Sequence, residues 1–256
     1  MGTPDVPDVN EALAAQVAEL GDFLASLNDA DWDRPSPCEG WSVSDVVLHL
    51  AQTNEMATAS AQGRYDEVVA SMRAGRAVRN VDEGAALAVE AERGQPSEAV
   101  FARWRASADT MRDALAAADP HARVTWVEGQ LSVRTLTTTR LAETWIHTGD
   151  VMMALDVEPV PTARLWHIAR LAWRTLPYAF ARAGRELGGP VAFELRAPGG
   201  GDDWRFLPDT EPATRVSGRA EELCLVAARR VDPSATGLTG TGPDLAAVLD
   251  LVRTYA

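Results

Sequence analysis

A stripe of polar residues within an otherwise apolar segment constrains the fold of this chain more than any other feature. In RLAETWIHTGD, residues 140–150, the positions Arg140, Glu143, His147 and Asp150 follow one another at intervals of three, four and three residues. Residues at these intervals share one face of an α-helix. Most of the remaining positions are typical of a protein core. The pattern therefore predicts a packed helix that carries polar groups along one side.

Glu143 and His147 lie one helical turn apart, a spacing that suits two ligands of one metal ion. The same spacing also occurs in surface salt bridges and in pairs that solvate a helix. The apolar neighbours favour a buried pair, which needs a compensating partner, and a divalent cation is one such partner. These neighbours are Leu141, Trp145, Ile146, Val151 and Met152.

His49 is the candidate for a third ligand, because it lies within the helical segment VSDVVLHLAQT with a leucine on each side. A core histidine bonded to a backbone carbonyl or to a carboxylate is the alternative interpretation. The chain has only four histidines. His121 follows a proline in a loop and is expected to be solvated. His167, on a long helix, is expected to pack or to lie at the surface.

Cysteine offers little chemistry in this chain. Cys38 and Cys224 are the only two cysteines, and they lie far apart in the sequence. Neither a disulfide framework nor a metal site built from cysteine pairs is indicated, so any metal must be bound by His, Asp or Glu. Cys38 precedes the helix of His49 and suggests a nucleophile, but nothing beside it in the sequence indicates an activated thiol.

The composition is that of a globular protein, with 46% hydrophobic residues and a formal net charge of −13. A nucleic-acid partner is not expected, because its surface would require clustered positive charge. Apolar runs are too short for a membrane span, and the N-terminus lacks the pattern of a secretory leader. We therefore expect a cytoplasmic, unprocessed protein without a membrane partner, either a monomer or a homodimer.

Apolar periodicity and capping signals predict a helical N-terminal part. Ser42 and Asp45 form an S-x-x-D capping box at the start of the helix that contains His49. Ser97 is expected to cap a later helix, and Gly75 and Gly84 are expected to interrupt a polar helical stretch. The predicted helices span residues 10–27, 42–62, 64–93, 98–118 and 132–155, with a strand-like segment at 124–133.

The C-terminal part changes character. Thr162 is expected to cap a long helix that Pro177 kinks and that ends before Gly188. VAFELRA, DWRFLP and TRVSG alternate as strands, and two amphipathic helices flank a short TGLTG strand. We therefore predict an α+β protein with a helical bundle at 1–188 and a small α+β domain at 189–256.

Two segments resemble signatures of the mycothiol-dependent maleylpyruvate isomerase family, within the DinB-like superfamily of metal-binding four-helix bundles. PSPCEGWSVSDVVLHLA, residues 35–51, resembles a signature that ends in G-W-[ST]-V-x-D-x-x-x-H, and RLAETWIHTGDV resembles R-x-x-E-x-x-x-H-x-x-D. The resemblance covers about residues 10–185, with both motifs in the order and separation of the family. Together the motifs are specific to the family, although not to one reaction.

The resemblance implies that His49, Glu143 and His147 bind a divalent metal, typically zinc, at the mouth of the bundle. Three protein ligands leave one position of zinc open, which is the arrangement of a catalytic site. Arg140 and Asp150 would then orient a ligand or balance charge. An ion-pair network along the helix is the alternative for these two residues.

The C-terminal part resembles the sterol-carrier-like domain that follows the bundle in this family, through VSGRAEELCLVAARR. In the isomerase, an arginine at the end of this helix reaches the active site and helps to hold an anionic substrate. The resemblance implies that role for Arg230, or alternatively for Arg229. In this chain, alanine replaces the glycine that is usual near that arginine. The other interpretation is that the two arginines interact favourably with the dipole at the C-terminal end of the helix.

The function implied by the resemblance is that of a zinc- and mycothiol-dependent enzyme. A thiol activated at the metal would add to an electrophilic substrate and cause cis–trans isomerisation or S-transfer. The partners would be a small-molecule substrate and a low-molecular-weight thiol. Two alternatives stay open: a metal-binding protein without turnover, and a hydrolase or natural-product biosynthetic enzyme on the same fold.

Overall fold

The computed structural model describes residues 6–73 and 77–254, which form two compact units. The first unit is Val9–Pro159, and the second runs from Val160 onwards and includes residues 6–8. The helices of the first unit are α1 (Val9–Ala25), α2 (Asp29–Trp32), α3 (Val43–Ala61), α4 (Tyr65–Arg73), α5 (Val81–Glu92), α6 (Ser97–Ala117) and α7 (Val133–Ala154).

Four long helices, α1, α3, α6 and α7, pack against one another and form the bundle of the first unit. Their facing sides are apolar, and Leu20, Leu50, Trp104 and Leu141 are essentially inaccessible to solvent. Burial of each such side chain stabilises the fold by about 1.5–3 kcal/mol. The polar residues of α3 and α7 that carry the candidate site are therefore held by a rigid apolar frame.

Local signals define the ends of the two helices that matter most for the site. The Asp45 N–H donates to Ser42 Oγ and the Ser42 N–H to Asp45 Oδ2, which is the expected capping box of α3. Ser132 caps α7 in the same manner by accepting from the Thr135 N–H. The hairpin of β1 (Arg123–Trp126) and β2 (Gly129–Ser132) leads directly into α7.

The second unit contains a four-stranded sheet and helices packed on it. The elements are α8 (Leu165–Arg182), β3 (Val191–Arg196), β4 (Trp204–Phe206), β5 (Thr214–Arg219), α9 (Ala220–Ala227), β6 (Thr239–Thr241) and α10 (Leu245–Leu251). The strands lie in the order β4-β3-β5-β6, with β3 and β5 parallel and the other pairs antiparallel. Helix α8 contacts β3, β4, α9 and α10.

The α+β class is confirmed, with a helical bundle followed by a small sheet unit. Compact packing divides the chain at Pro159 and Val160, earlier than the predicted boundary at 188. The difference arises because α8 packs on the sheet and on α9, where the Trp173 indole N–H donates to the Val191 carbonyl at 2.7 Å. Whether residues 1–188 and 189–256 behave as separate domains stays a prediction.

Several predicted helix ends were wrong. Ser97 is the first residue of α6 rather than its cap, and its hydroxyl donates to Asp29 Oδ1 instead. Helix α8 begins at Leu165, and Thr162 contributes its backbone carbonyl to the preceding turn. Gly84 lies inside α5 and does not interrupt it, whereas Gly75 lies outside the described residues.

In the described part of the chain, the helices are either too short or too polar to cross a membrane.

Candidate metal centre

His49, Glu143 and His147 converge between α3 and α7. His49 Nε2 lies 4.0 Å from Glu143 Oε2, and His147 Nε2 lies 3.6 Å from the same oxygen. The donor atoms of the three residues all lie within 4.8 Å of one another. The side chains are largely buried, with exposures of 11% for His49, 18% for Glu143 and 9% for His147.

The geometry of this cluster is compatible with a metal site. Donor atoms about 2.0–2.2 Å from a tetrahedral zinc ion lie about 3.4 Å from one another. The separations of Glu143 Oε2 from the two histidine nitrogens, 3.6 and 4.0 Å, need only small side-chain movements to reach that value. Two imidazoles and one carboxylate also form a donor set that zinc accepts.

Asp150 contacts the ring nitrogen of His147 that faces away from Glu143. Its Oδ2 lies 2.9 Å from His147 Nδ1, and Asp150 is completely inaccessible to solvent. When Nδ1–H donates to this carboxylate, the tautomer of His147 is fixed and its Nε2 lone pair is available to a metal. The predicted supporting role of Asp150 therefore has a direct structural basis.

Arg140 is a buried cation one helical turn before Glu143. Its Nη2 donates to Thr53 Oγ1 at 2.9 Å and to Asn54 Oδ1 at 3.2 Å, both on α3. Burial lowers the Arg140 pKa to about 10, and the negative charge of Glu143 acts in the opposite sense. The side chain is thus charged at neutral pH and lies within the influence of the Glu143 charge. Both the charge-balancing role and an ion-pair network along the helix stay open for it.

The same contacts shift the pKa values of the three candidate ligands. Burial alone would raise the Glu143 pKa, but His147, His49 and Arg140 together hold it well below its usual range. Burial alone would lower the His147 pKa, but Asp150, Cys38 and Glu143 raise it well above 6.5. The His49 pKa is lowered, mainly by burial. These contacts therefore favour a charged Glu143 and a charged His147, whereas burial disfavours a charged His49.

The loop before α3 covers this end of the helix pair. The Trp41 ring lies 5.1 Å from the His49 ring, and Cys38 Sγ lies 3.2 Å from Asp150 Oδ2. Cys38, His147 and Asp150 thus form a second group of donor atoms adjacent to the first. The contact between Cys38 and Asp150 joins residues 112 positions apart, and the sequence offered only the position of Cys38 near the start of α3 as a hint.

The remaining candidates from the sequence lie where simpler functions explain them. Asp45 belongs to the capping box and accepts a bond from Arg93 Nε at 3.0 Å. His121 is exposed, as expected. His167 is buried, and its Nε2 lies 2.8 Å from the Pro7 carbonyl oxygen, so it serves packing.

Arg229 and Arg230 follow α9 in the second unit. Arg229 has a left-handed backbone with φ of 60°, and its Nη2 donates to the Asp250 carbonyl at 2.5 Å. Arg230 is half-buried, and its Nη1 donates to the Ala228 carbonyl at 3.0 Å. Their role towards a substrate stays a prediction.

Known proteins resemble this chain in sequence and in fold. Residues 13–152 match the family model of the mycothiol maleylpyruvate isomerase N-terminal domain. Two proteins of Mycobacterium tuberculosis, from strains CDC 1551 and H37Rv and both named as uncharacterized, are each 30% identical over 95% of this chain and 93% of their own length.

Two crystal structures of a mycothiol-dependent maleylpyruvate isomerase share the fold. One is of a histidine-to-alanine mutant, with 17% identity and a TM-score of 0.59. The other shows 18% identity and a TM-score of 0.57. In both comparisons the match covers 93% of this chain and 94% of the other chain. The likeness therefore extends over both compact units.

Proposed function

The chain belongs to the mycothiol maleylpyruvate isomerase family, and on that premise we propose that it is a divalent-metal-dependent enzyme that uses a low-molecular-weight thiol. We propose zinc as the metal and mycothiol as the thiol. His49, Glu143 and His147 would hold the metal. The observation that carries this proposal is the convergence of their donor atoms within 4.8 Å, with Asp150 bonded to the outer nitrogen of His147.

The charges of the buried cluster favour an anionic ligand at the open position. With both carboxylates ionised and His147 protonated, Arg140 and His147 would balance the charges of Glu143 and Asp150 in the metal-free protein. A divalent cation that displaces the His147 proton leaves the cluster with one excess positive charge. A buried excess charge is costly unless it is paired. A thiolate would restore neutrality, whereas a neutral ligand would not.

The bound metal would supply one chemical effect, the lowering of a thiol pKa so that a thiolate is present at neutral pH. The chain's own residues then determine what the thiolate meets. His147 is held in one tautomer by Asp150, and the Trp41 ring lies against His49 at this end of the helix pair. These contacts would hold the ligand set in place during the reaction.

The reaction that we propose is addition of the thiolate to an electrophilic carbon of a second substrate. With a cis double bond as in maleylpyruvate, addition, rotation and loss of the thiolate would isomerise the double bond without net consumption of thiol. With a leaving group, the thiol would stay attached and the protein would be an S-transferase. Arg230, or alternatively Arg229, would hold an anionic substrate through its guanidinium group.

Cobalt substitution provides the test of thiol binding at the metal. Addition of mycothiol to the cobalt-loaded protein should produce the intense near-ultraviolet charge-transfer band of thiolate coordination, and the His147→Ala variant should not show it. A metal-binding protein without turnover, or a hydrolase that activates water, has no binding pocket for mycothiol and should show the band only at far higher thiol concentrations. A cobalt-loaded protein whose spectrum does not change with thiol would overturn the proposal.

A further inference from the structure

The loop of residues 35–42, here called the clamp loop, is tied into one conformation by its own hydrogen bonds. The Ser36 N–H donates to the Trp41 carbonyl at 2.8 Å, and the Trp41 N–H donates to the Cys38 carbonyl at 3.0 Å. Ser36 Oγ also accepts from the Cys38 N–H at 3.2 Å. Gly40 has φ of 75°, in the left-handed region that favours glycine. The loop therefore presents its side chains from a fixed backbone.

The clamp loop contacts both helices that carry the candidate ligands. On the α3 side, the Trp41 ring lies 5.1 Å from the ring of His49. On the α7 side, Cys38 Sγ lies 3.2 Å from Asp150 Oδ2. That same oxygen lies 2.9 Å from Nδ1 of His147. The thiol of Cys38 thus contacts the carboxylate oxygen that holds His147, and it also lies close to His147 itself.

We propose that Cys38 is a positioning residue of the metal centre, whose S–H donates to Asp150 and thereby fixes the carboxylate that orients His147. A carboxylate only accepts hydrogen bonds, so the shared proton belongs to the thiol. Asp150 is completely inaccessible to solvent. A buried acceptor that loses a donor is costly. The inference rests on the proposed metal site.

This role differs from that of a nucleophile, which is what a half-buried cysteine beside an active site first suggests. A nucleophile must direct a thiolate at the substrate, whereas the Cys38 sulfur directs its proton at a carboxylate of the protein. Serine can replace cysteine in the positioning role because its hydroxyl also donates. It cannot replace a nucleophilic thiol in thiol chemistry. Alanine removes both functions.

Zinc affinity of the full-length chain, measured by competition with a chromophoric chelator, tests the proposal. Cys38→Ala should weaken zinc binding by about 3–10-fold, less than the 10–100-fold typical when the outer group itself is lost. Cys38→Ser should bind zinc within about twofold of the wild type, because the donor is retained. Cys224→Ala is the matched control, since Cys224 is buried in the second unit against the Leu165 carbonyl, and it should leave zinc affinity unchanged.

A double-mutant cycle shows whether Cys38 acts through Asp150. In the Asp150→Asn background, Cys38→Ala should cause little further loss of zinc affinity, because the carboxylate that it positions is already gone. The ligand-field bands of the cobalt-loaded Cys38→Ala variant should also shift, whereas those of Cys38→Ser should match the wild type.

The outcomes separate this inference from the proposed function. A wild-type chain that binds no zinc would overturn both. Zinc binding by the wild type with unchanged affinity in Cys38→Ala would overturn the positioning role alone. An equal loss of zinc affinity in Cys38→Ser and Cys38→Ala would also exclude a role through the hydrogen bond to Asp150. The same holds if the losses of zinc affinity in Cys38→Ala and Asp150→Asn add fully in the double variant.

Discussion

His147 shows how one residue can determine the chemistry of the site, because its two ring nitrogens have different neighbours. Nδ1 faces the carboxylate of Asp150 at 2.9 Å, and Nε2 faces Glu143 at 3.6 Å. In the metal-free protein both nitrogens can carry protons, which satisfies both carboxylates at once. A metal ion held at Nε2 would replace one of these protons, and the bond to Asp150 would be kept.

Proton release on zinc binding follows from the pKa values of the ligands. The His147 pKa is raised, which favours a displaceable proton on this residue, whereas the pKa values of His49 and Glu143 are lowered. We expect release of about one proton per zinc ion, decreasing as the pH rises through the raised His147 pKa. Calorimetry in buffers of different ionisation enthalpy measures this number. Release of two protons, or of none, at pH 7 would contradict the assignment.

At the scale of elements, α3 and α7 are joined by the hydrogen bonds of a buried cation as well as by apolar packing. Arg140 of α7 is buried, bonds to Thr53 and Asn54 of α3, and lies near the charge of Glu143. Its Nε has no hydrogen-bond partner among the described residues. A buried cation with an unsatisfied donor is not the most stable choice for a bundle core. Its position therefore indicates a role in balancing the charge of the site.

Removal of Arg140 should destabilise the metal-free protein through the charge that it leaves behind. We expect Arg140→Met to lower the free energy of unfolding by about 1–3 kcal/mol, because buried Asn54 loses a charged donor and Glu143 loses a nearby positive charge. Glu143→Gln removes the opposing charge, so the double variant should lose less stability than the sum of the single variants. Urea denaturation of the three variants measures the coupling. Strictly additive losses would show that the two charges do not interact.

The elements also show what could be predicted from the sequence. The capping box of Ser42 and Asp45 was predicted because its two partners are three residues apart. The convergence of His49 with α7 was predicted from the family motifs rather than from periodicity. The bond from Cys38 to Asp150 was not predicted, because a contact between a loop and a helix leaves no periodic signal. The amphipathic pattern of α8 likewise did not tell which layer the helix packs on.

At the scale of the whole molecule, every element that carries a candidate metal ligand belongs to the first unit. A chain that ends at Pro159 keeps α1, α3, α6 and α7. We expect it to fold and to bind zinc with an affinity close to that of the full chain.

A chain that ends at Gly188 should also bind zinc, but it should self-associate, because α8 loses the sheet and α9 that cover its apolar side. Circular dichroism, zinc titration and light scattering compare the two chains. Loss of zinc binding in the chain that ends at Pro159 would show that the second unit is needed for the metal site.

Turnover should depend on the second unit even where metal binding does not. We expect Arg230→Ala, or failing that Arg229→Ala, to reduce turnover of an anionic substrate by about 100-fold or more, because a charged donor to the reacting substrate is lost. The zinc content should not change. Steady-state kinetics with mycothiol and maleylpyruvate, with exposed Arg196→Ala as the control, measures the effect. Unchanged turnover in both variants would remove these arginines from the active site.

The metal content of the purified chain tests the proposed metal centre itself. We expect about one zinc ion or other divalent metal ion per chain by elemental analysis, and a loss of nearly all of it in His49→Ala and in His147→Ala, since each removes one of three ligands. His121→Ala, which changes an exposed histidine of the same unit, should keep the wild-type content. A wild-type chain without metal after growth in zinc, or full metal content in either ligand variant, would contradict the central claim that His49, Glu143 and His147 form a metal centre.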